Sequence, residues 1–206
     1  MYKPSHAYNL LFSLVVMALV STASCVSFPA KQEFLVQEAL AEGARFLTES
    51  RFVEAAEVFQ TALDVVPDDA RLLYNLSLAQ AQADDSTSAI ATIGLLVRLF
   101  PENVKYLKAQ AAILQESGAS TEACPVWEQV LIRDPFDEVV RLRLANQYFI
   151  DSEYELSQKH AFMLYSREQY SRELFLLCSR LELALGGGDG SAWILLADAY
   201  FPVERE

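Results

Sequence analysis

From Val36 onward the apolar positions step by three and four residues, and the whole set then repeats after 34 residues. Windows opened at Val36, Ala70 and Val104 carry their repeating positions at 4, 7, 8 and 11, and again at 20, 24 and 27. Position 8 is Gly43, Ser77 and Ala111; position 20 is Ala55, Ala89 and Ala123. Position 11 holds Phe46, Gln80 and Leu114, position 24 holds Phe59, Ile93 and Trp127, and position 27 holds Ala62, Leu96 and Val130. Position 32 is Pro67, Pro101 and Pro135. Two clusters at helical spacing inside each unit predict two amphipathic helices, the second ended by the proline, which lacks an N–H and pushes its predecessor out of helical geometry.

Small residues at 8 and 20 let the two helix backbones approach, while bulky residues at 11 and 24 fill the flanks. A unit of this size cannot bury its apolar face alone, so neighbouring units must stack, giving an all-α solenoid of antiparallel helix pairs. Gly118 marks the tight turn within the third unit, where units one, two and four have Ser50, Asp84 and Ser152. Ser120, with Glu122 and Pro125 beyond it, is expected to cap a helix start.

A fourth window from Glu138 continues with Ala145, Tyr148, Tyr154, Ser157, Ala161 and Leu164 but has Gln169 in place of proline. After Ser171 the register fades. Leu174, Leu177, Leu181 and Leu185 form a helical stripe that stops at Gly186-Gly187-Gly188-Asp189-Gly190. Trp193, Leu196, Ala197 and Tyr200 then define a last helix, apolar on more than one face and therefore a candidate dimer contact. Residues 172–206 read as a degenerate capping pair. No helix breaker lies between Glu153 and Gly186, so one long helix competes with two; Ser166 and Gln169, at capping-box spacing, favour two.

The 34-residue period, small residues at 8 and 20, an aromatic or aliphatic residue at 24 and proline at 32 resemble the tetratricopeptide repeat family. The resemblance covers 36–171 as four units, 36–69, 70–103, 104–137 and 138–171. It implies a right-handed α-solenoid, no catalysis and no cofactor, and a protein-binding scaffold or adaptor. It further implies that positions 2, 5, 9 and 12 of each first helix line an inner face where peptides dock. On or beside that stripe lie Arg71, Tyr74, Asn75, Lys105, Lys108, Asn146 and Phe149, the candidate partner-binding residues. Basic groups there, in a chain of net charge -12, suggest an acidic or C-terminal carboxylate ligand. The chaperone-tail clamp of some family members does not carry over, because Leu40 and Ala44 occupy two of its positions.

Composition narrows the rest. The acidic balance offers no basic stripe for nucleic acid. Lys3 followed by an apolar run over residues 10–20, then Ser21-Thr22-Ala23-Ser24, has the outline of an export signal over 1–24. Eleven helical residues span only ~16 Å, short of a ~30 Å hydrocarbon core. Small residues ending at Cys25 resemble a bacterial lipoprotein signal, which implies a lipid on Cys25, a tether over 25–35, membrane attachment and a periplasm-facing place in the cell envelope among envelope protein partners. Plain secretion and an uncleaved anchor are the alternatives. Similar lipoproteins also serve in periplasmic transport, where the solenoid would bind a small hydrophobic ligand or a solute-binding protein. Cys124 and Cys178 are expected as buried free thiols, and His160, the lone histidine after the signal, as an exposed or edge-packed ring with no metal partners. Asp68-Asp69 and Asp84-Asp85 read as helix-start and solvation residues.

Overall fold

A computed structural model of the chain describes residues 30–202. The export signal and Cys25 lie outside the described residues. Ten helices make up those residues, with no strand among them: α1 at 30–48, α2 Phe52–Leu63, α3 Ala70–Gln82, α4 Ser86–Leu99, α5 Val104–Glu116, α6 Ser120–Arg133, α7 Glu138–Ile150, α8 Tyr154–Tyr165, α9 Arg172–Ala184 and α10 Ser191–Tyr200. The chain divides into two compact units at Thr92/Ile93, inside α4.

The starts of α3, α5, α7 and α9 fall at 70, 104, 138 and 172, so the 34-residue grid runs one helix pair further than the apolar pattern suggests. One local device recurs on this grid. Position 15 is left-handed in all five pairs, with φ of 58° at Ser50, 61° at Asp84, 85° at Gly118, 62° at Ser152 and 73° at Gly186. In each, the next N–H returns to the carbonyl at position 11: Arg51 to Phe46, Asp85 to Gln80, Ala119 to Leu114, Glu153 to Tyr148 and Gly187 to Glu182, at 2.8–2.9 Å. This is the Schellman closure, which satisfies helix-end carbonyls and fixes the direction of the second helix.

Starts of the first helices are equally regular. Asp69, Asn103, Asp137 and Ser171 each accept a hydrogen bond from a first-turn N–H of α3, α5, α7 and α9. Two expectations are corrected here. Ser120 is the first residue of α6 and Ala119 holds the cap position without a side-chain bond, while Pro125 sits inside the helix. The residues after Glu153 form two helices, but the cap of the second is Ser171; Ser166 instead ends α8. Glu168, left-handed at φ 59°, closes that end, with the Gln169 N–H donating to the Leu164 carbonyl at 3.1 Å. It does there what proline does elsewhere. Nor does proline stop α2, which ends at Leu63, four residues ahead of Pro67.

In the first unit, Val36, Ala55, Phe59, Leu72 and Ala79 are sealed from solvent, each large side chain worth about 1.5–3 kcal/mol of burial. Gly43 faces Phe59 so closely that a Cβ would stand 2.2 Å from the ring. Where the second window departs from the pattern, polar atoms are satisfied: buried Ser77 donates to the Tyr74 carbonyl at 2.8 Å, and Gln80 accepts from Thr92 at 2.8 Å.

In the second unit, one core gathers Ala145, Ala161, Leu164, Leu174, Leu177 and Leu181. The seam of α7 and α8 is polar at its tightest point, Ser157 Oγ donating to the Ala145 carbonyl at 2.6 Å. Tyr165, Tyr170, Phe175, Trp193, Tyr200 and Phe201 form an aromatic cluster that seats α10. Gly186 obeys the grid, but α10 begins only at Ser191, where earlier second helices would place its start at 188. At Gly190 a Cβ would meet Ser179 at 2.5 Å, so glycine supplies the close approach that alanine gives elsewhere. Cys124 and Cys178 are both free, the first buried and the second half-buried.

Candidate functional site

The inner stripe of the second unit is a side-by-side row of first helices, α5, α7 and α9. A cavity of about 440 Å³ lies among them, walled by Gln115 of α5, Val139, Leu142, Arg143, Asn146 and Ile150 of α7, and Glu173 of α9. Its floor is amide and its rim apolar, with Val139 and Ile150 65% and 70% exposed.

Asn146 is the organising residue. Its Nδ2 donates to the Leu142 carbonyl at 3.1 Å and to Glu173 Oε1 at 2.7 Å, and its Oδ1 accepts from the Arg180 guanidinium at 3.1 Å. Arg180 also lies over the Phe149 ring at 4.9 Å, a cation–π contact that holds the guanidinium flat against the face. On the other side Arg143 reaches Gln115 Oε1 at 3.4 Å and lies 5.8 Å from the Trp127 ring. Two guanidinium groups thus flank an amide, each fixed by a ring and a polar partner.

Other candidates have partners within the chain. Lys108 is ion-paired to Asp137, the cap of α7; burial raises the Asp137 carboxyl, but Lys108 and the Val140 N–H outweigh it and hold the group below its usual range. Lys105 is exposed at the start of α5. In the first unit Arg71 makes a two-pronged bond to Glu33, 2.8 Å on each arm, and bonds Asp69 at 2.8 Å. The pair lowers Glu33 to about 2 through the Arg71 hydrogen bonds. Asn75 Nδ2 donates to the Arg71 carbonyl at 2.7 Å, and Tyr74 is half-buried. The structure therefore brings Asn146 and Phe149 together around Arg180, and commits Arg71 and Lys108 to carboxylates of this same chain.

Arg180 and Glu173 were missing from the sequence candidates. Continuing the 34-residue grid past Ser171 would have found them, since they occupy positions 9 and 2 of a fifth window.

His160 is not exposed but 3% accessible, a correction to the sequence expectation. Its Nε2 lies 3.1 Å from Glu128 Oε1, off the line of a hydrogen bond, and Nδ1 has no partner. Tyr148 stacks on the ring at 5.6 Å and donates to the same Glu128 oxygen at 3.2 Å. His160 beside it lowers the Glu128 carboxyl, and burial raises the Tyr148 phenol. No group of three or more His, Cys, Asp or Glu among the described residues could hold a metal ion, and no described helix is long and apolar enough to cross a membrane.

Comparison with known proteins places this geometry. The tetratricopeptide repeat family model matches residues 46–113. A crystal structure of a tetratricopeptide repeat protein from Parabacteroides merdae aligns with TM-score 0.74 and 18% identity, over 82% of this chain and 68% of that one. A crystal structure of MamA protein aligns with TM-score 0.72 and 12% identity, over 84% and 98%. MamA from Desulfovibrio magneticus gives 0.69 and 15%, over 82% and 98%. No curated protein matches the chain. The fold is an all-α solenoid of the tetratricopeptide type, and it carries a tetratricopeptide repeat match over 46–113.

Proposed function

We propose that this chain is a non-enzymatic scaffold that holds a segment of another protein along the α5–α7–α9 face. The observation that carries the reading is the fixed Glu173–Asn146–Arg180 chain, with its rim of exposed Val139 and Ile150. A main-chain amide of an extended peptide can exchange with Asn146, a carboxylate of the ligand can take Arg180 or Arg143, and its apolar side chains can cover the rim. The signal-like segment and Cys25 support an envelope lipoprotein anchored by lipid and facing the periplasm, with envelope proteins as partners. The apolar α10, with Leu195 70% exposed, supports self-association through that helix.

Photo-crosslinking from position 147, at the cavity edge, in intact envelopes tests the scaffold reading. A discrete adduct that disappears with Asn146→Arg is expected; adducts indifferent to that change would overturn it. Radiolabelled palmitate incorporated into the wild type and absent from Cys25→Ser tests the anchor.

A second reading, a transport subunit that binds a small hydrophobic ligand, draws on a different cavity. About 240 Å³ is enclosed by Ala161, Phe162, Cys178, Leu181, Leu185 and Trp193, and burial pushes the Cys178 thiol up to about 11. Quenching of Trp193 fluorescence by a small apolar ligand, lost in Ala161→Phe, would favour it.

A further inference from the structure

We propose that the outer face of the α1–α2 pair is a second docking surface, taking a basic amphipathic helix of a partner protein. This goes beyond the α5–α7–α9 reading and uses other helices.

The grid itself shows that this face is a helix seat. Third and seventh positions of a first helix are buried where that helix packs on the pair before it. Leu72 and Leu76 of α3 are 0% and 2% exposed, and Val140 and Leu144 of α7 are 3% and 0%. In α1 the same two positions are Glu38 and Glu42, and both are exposed. Alongside them runs a cavity of about 540 Å³ between α1 and α2, lined by Leu35, Ala39, Phe46, Val58, Ala62 and Val65. Its floor is apolar, and Val65 is 51% exposed. Four carboxylates border it: Glu38 and Glu42 from α1, Glu54 and Glu57 from α2.

The charge along this border is uneven. At the turn end Glu54 pairs with Arg51 at 2.9 Å and Glu42 lies 4.0 Å from Arg45, while both arginines cover the Phe46 ring. Glu38 and Glu57 have no ion-pair partner among the described residues. The open end therefore presents an apolar trough between two uncompensated carboxylates.

An apolar stripe flanked by lysine or arginine complements that trough in shape and sign. The chain's own residues 1–29 do not, because Lys3 is the only lysine or arginine in them and the run at 10–20 is neutral. A second copy is opposed by the net charge of -12. A bare polar cap, the ordinary solution for a terminal repeat, would not keep an apolar floor of this size open.

The test titrates the full chain into a fluorescein-labelled amphipathic peptide of leucine and lysine, about fourteen residues long, and reads anisotropy. The Glu38→Lys/Glu57→Lys variant should weaken binding about tenfold and should gain binding to the matching leucine–glutamate peptide. The control variant Glu153→Lys/Glu155→Lys, which makes the same change of net charge on exposed α8 positions, should bind like the wild type. Replacing the peptide leucines by serine should abolish binding. Equal weakening by both variants would reduce the effect to diffuse attraction and overturn the proposal, as would wild-type affinity in Glu38→Lys/Glu57→Lys. Because the charge-swapped peptide must rescue binding, loss through misfolding is told apart from loss of the surface. Crosslinks from the α7 face do not enter this measurement, so the two surfaces stand or fall separately.

Discussion

In the α1–α2 hairpin the helices meet where Gly43 lies under the Phe59 ring, and nothing polar enters the contact. In the α7–α8 hairpin the same positions are Ala145 and Ser157, which meet through a buried hydroxyl bonded to a carbonyl. A buried histidine, a tyrosine and a glutamate lie beside that second seam. Both hairpins share one turn, with a left-handed residue at position 15 and a return bond to position 11. Turn geometry thus sets where the helices meet, and the seam can be closed by shape or by hydrogen bonding. The two solutions should differ in what breaks them.

The shape-closed seam should respond most to added volume. Gly43→Leu must displace Phe59, which is 1% exposed and has nowhere to go, so a loss of about 3 kcal/mol is expected in urea unfolding, at the upper end of overpacking costs. Pairing it with Phe59→Ala should recover part of that loss, a non-additive cycle that distant sites would not show. If Gly43→Leu unfolds at the wild-type midpoint, the contact is not what closes this hairpin.

For the bonded seam, deletion is the sharper probe. Ser157→Ala removes one buried hydrogen bond while leaving the Ala145 carbonyl inside its helix, and should cost about 1 kcal/mol. The comparison fails if Ser157→Ala proves as damaging as Gly43→Leu.

Acid separates the two regions in another way. Glu128 is held below its ordinary value of 4.5, chiefly by His160. A carboxylate depressed in the folded state stabilises above its unfolded pKa and loses that contribution as pH falls through the folded one. Stability should therefore decline below about pH 4.5, and Glu128→Gln should flatten that decline. Glu33 in the first unit is lowered further, to about 2, by Arg71, but its side chain is 54% exposed and salt screens it. Added salt should erase the Glu33 share of the acid slope and leave more of the Glu128 share, read by thermal melts of Glu33→Gln and Glu128→Gln.

How much of this was legible follows the same division. Ala55, Ala89 and Ala123 announced the seams, and Ser50, Asp84, Gly118 and Ser152 the turns, because backbone sterics act within one hairpin and repeat with it. The fifth pair hid behind Gly186–Gly190: the turn stays on the grid at Gly186, but the start of α10 slips to Ser191, so residues further on no longer match. That cost the site Arg180 and Glu173. Ion pairs were illegible for a different reason. Position within a window gives the face of a helix, whereas the Lys108 partner is a cap 29 residues on and the Arg71 partner lies 38 residues back. The burial of His160 depends on Glu128 of α6 and Tyr148 of α7, which its own helix cannot reveal.

The smallest effects test what the two hairpins have in common. Ser50 and Ser152 hold the left-handed position with a Cβ, a conformation costing an L-residue roughly 1–2 kcal/mol that glycine does not pay. Glycine in turn loses more backbone freedom on folding, which returns ~0.5–1 kcal/mol of the gain. Ser50→Gly and Ser152→Gly should each stabilise by about 0.5 kcal/mol, and by the same amount although one serves a shape-closed seam and the other a bonded seam. Gly118→Ala, at φ 85° with open space around the missing Cβ, should destabilise by about 1 kcal/mol through backbone strain alone. Chemical denaturation of the three variants reads all of this. A gain at Ser50 without one at Ser152 would mean that the turn senses which seam it closes, and the shared-turn explanation would then fail.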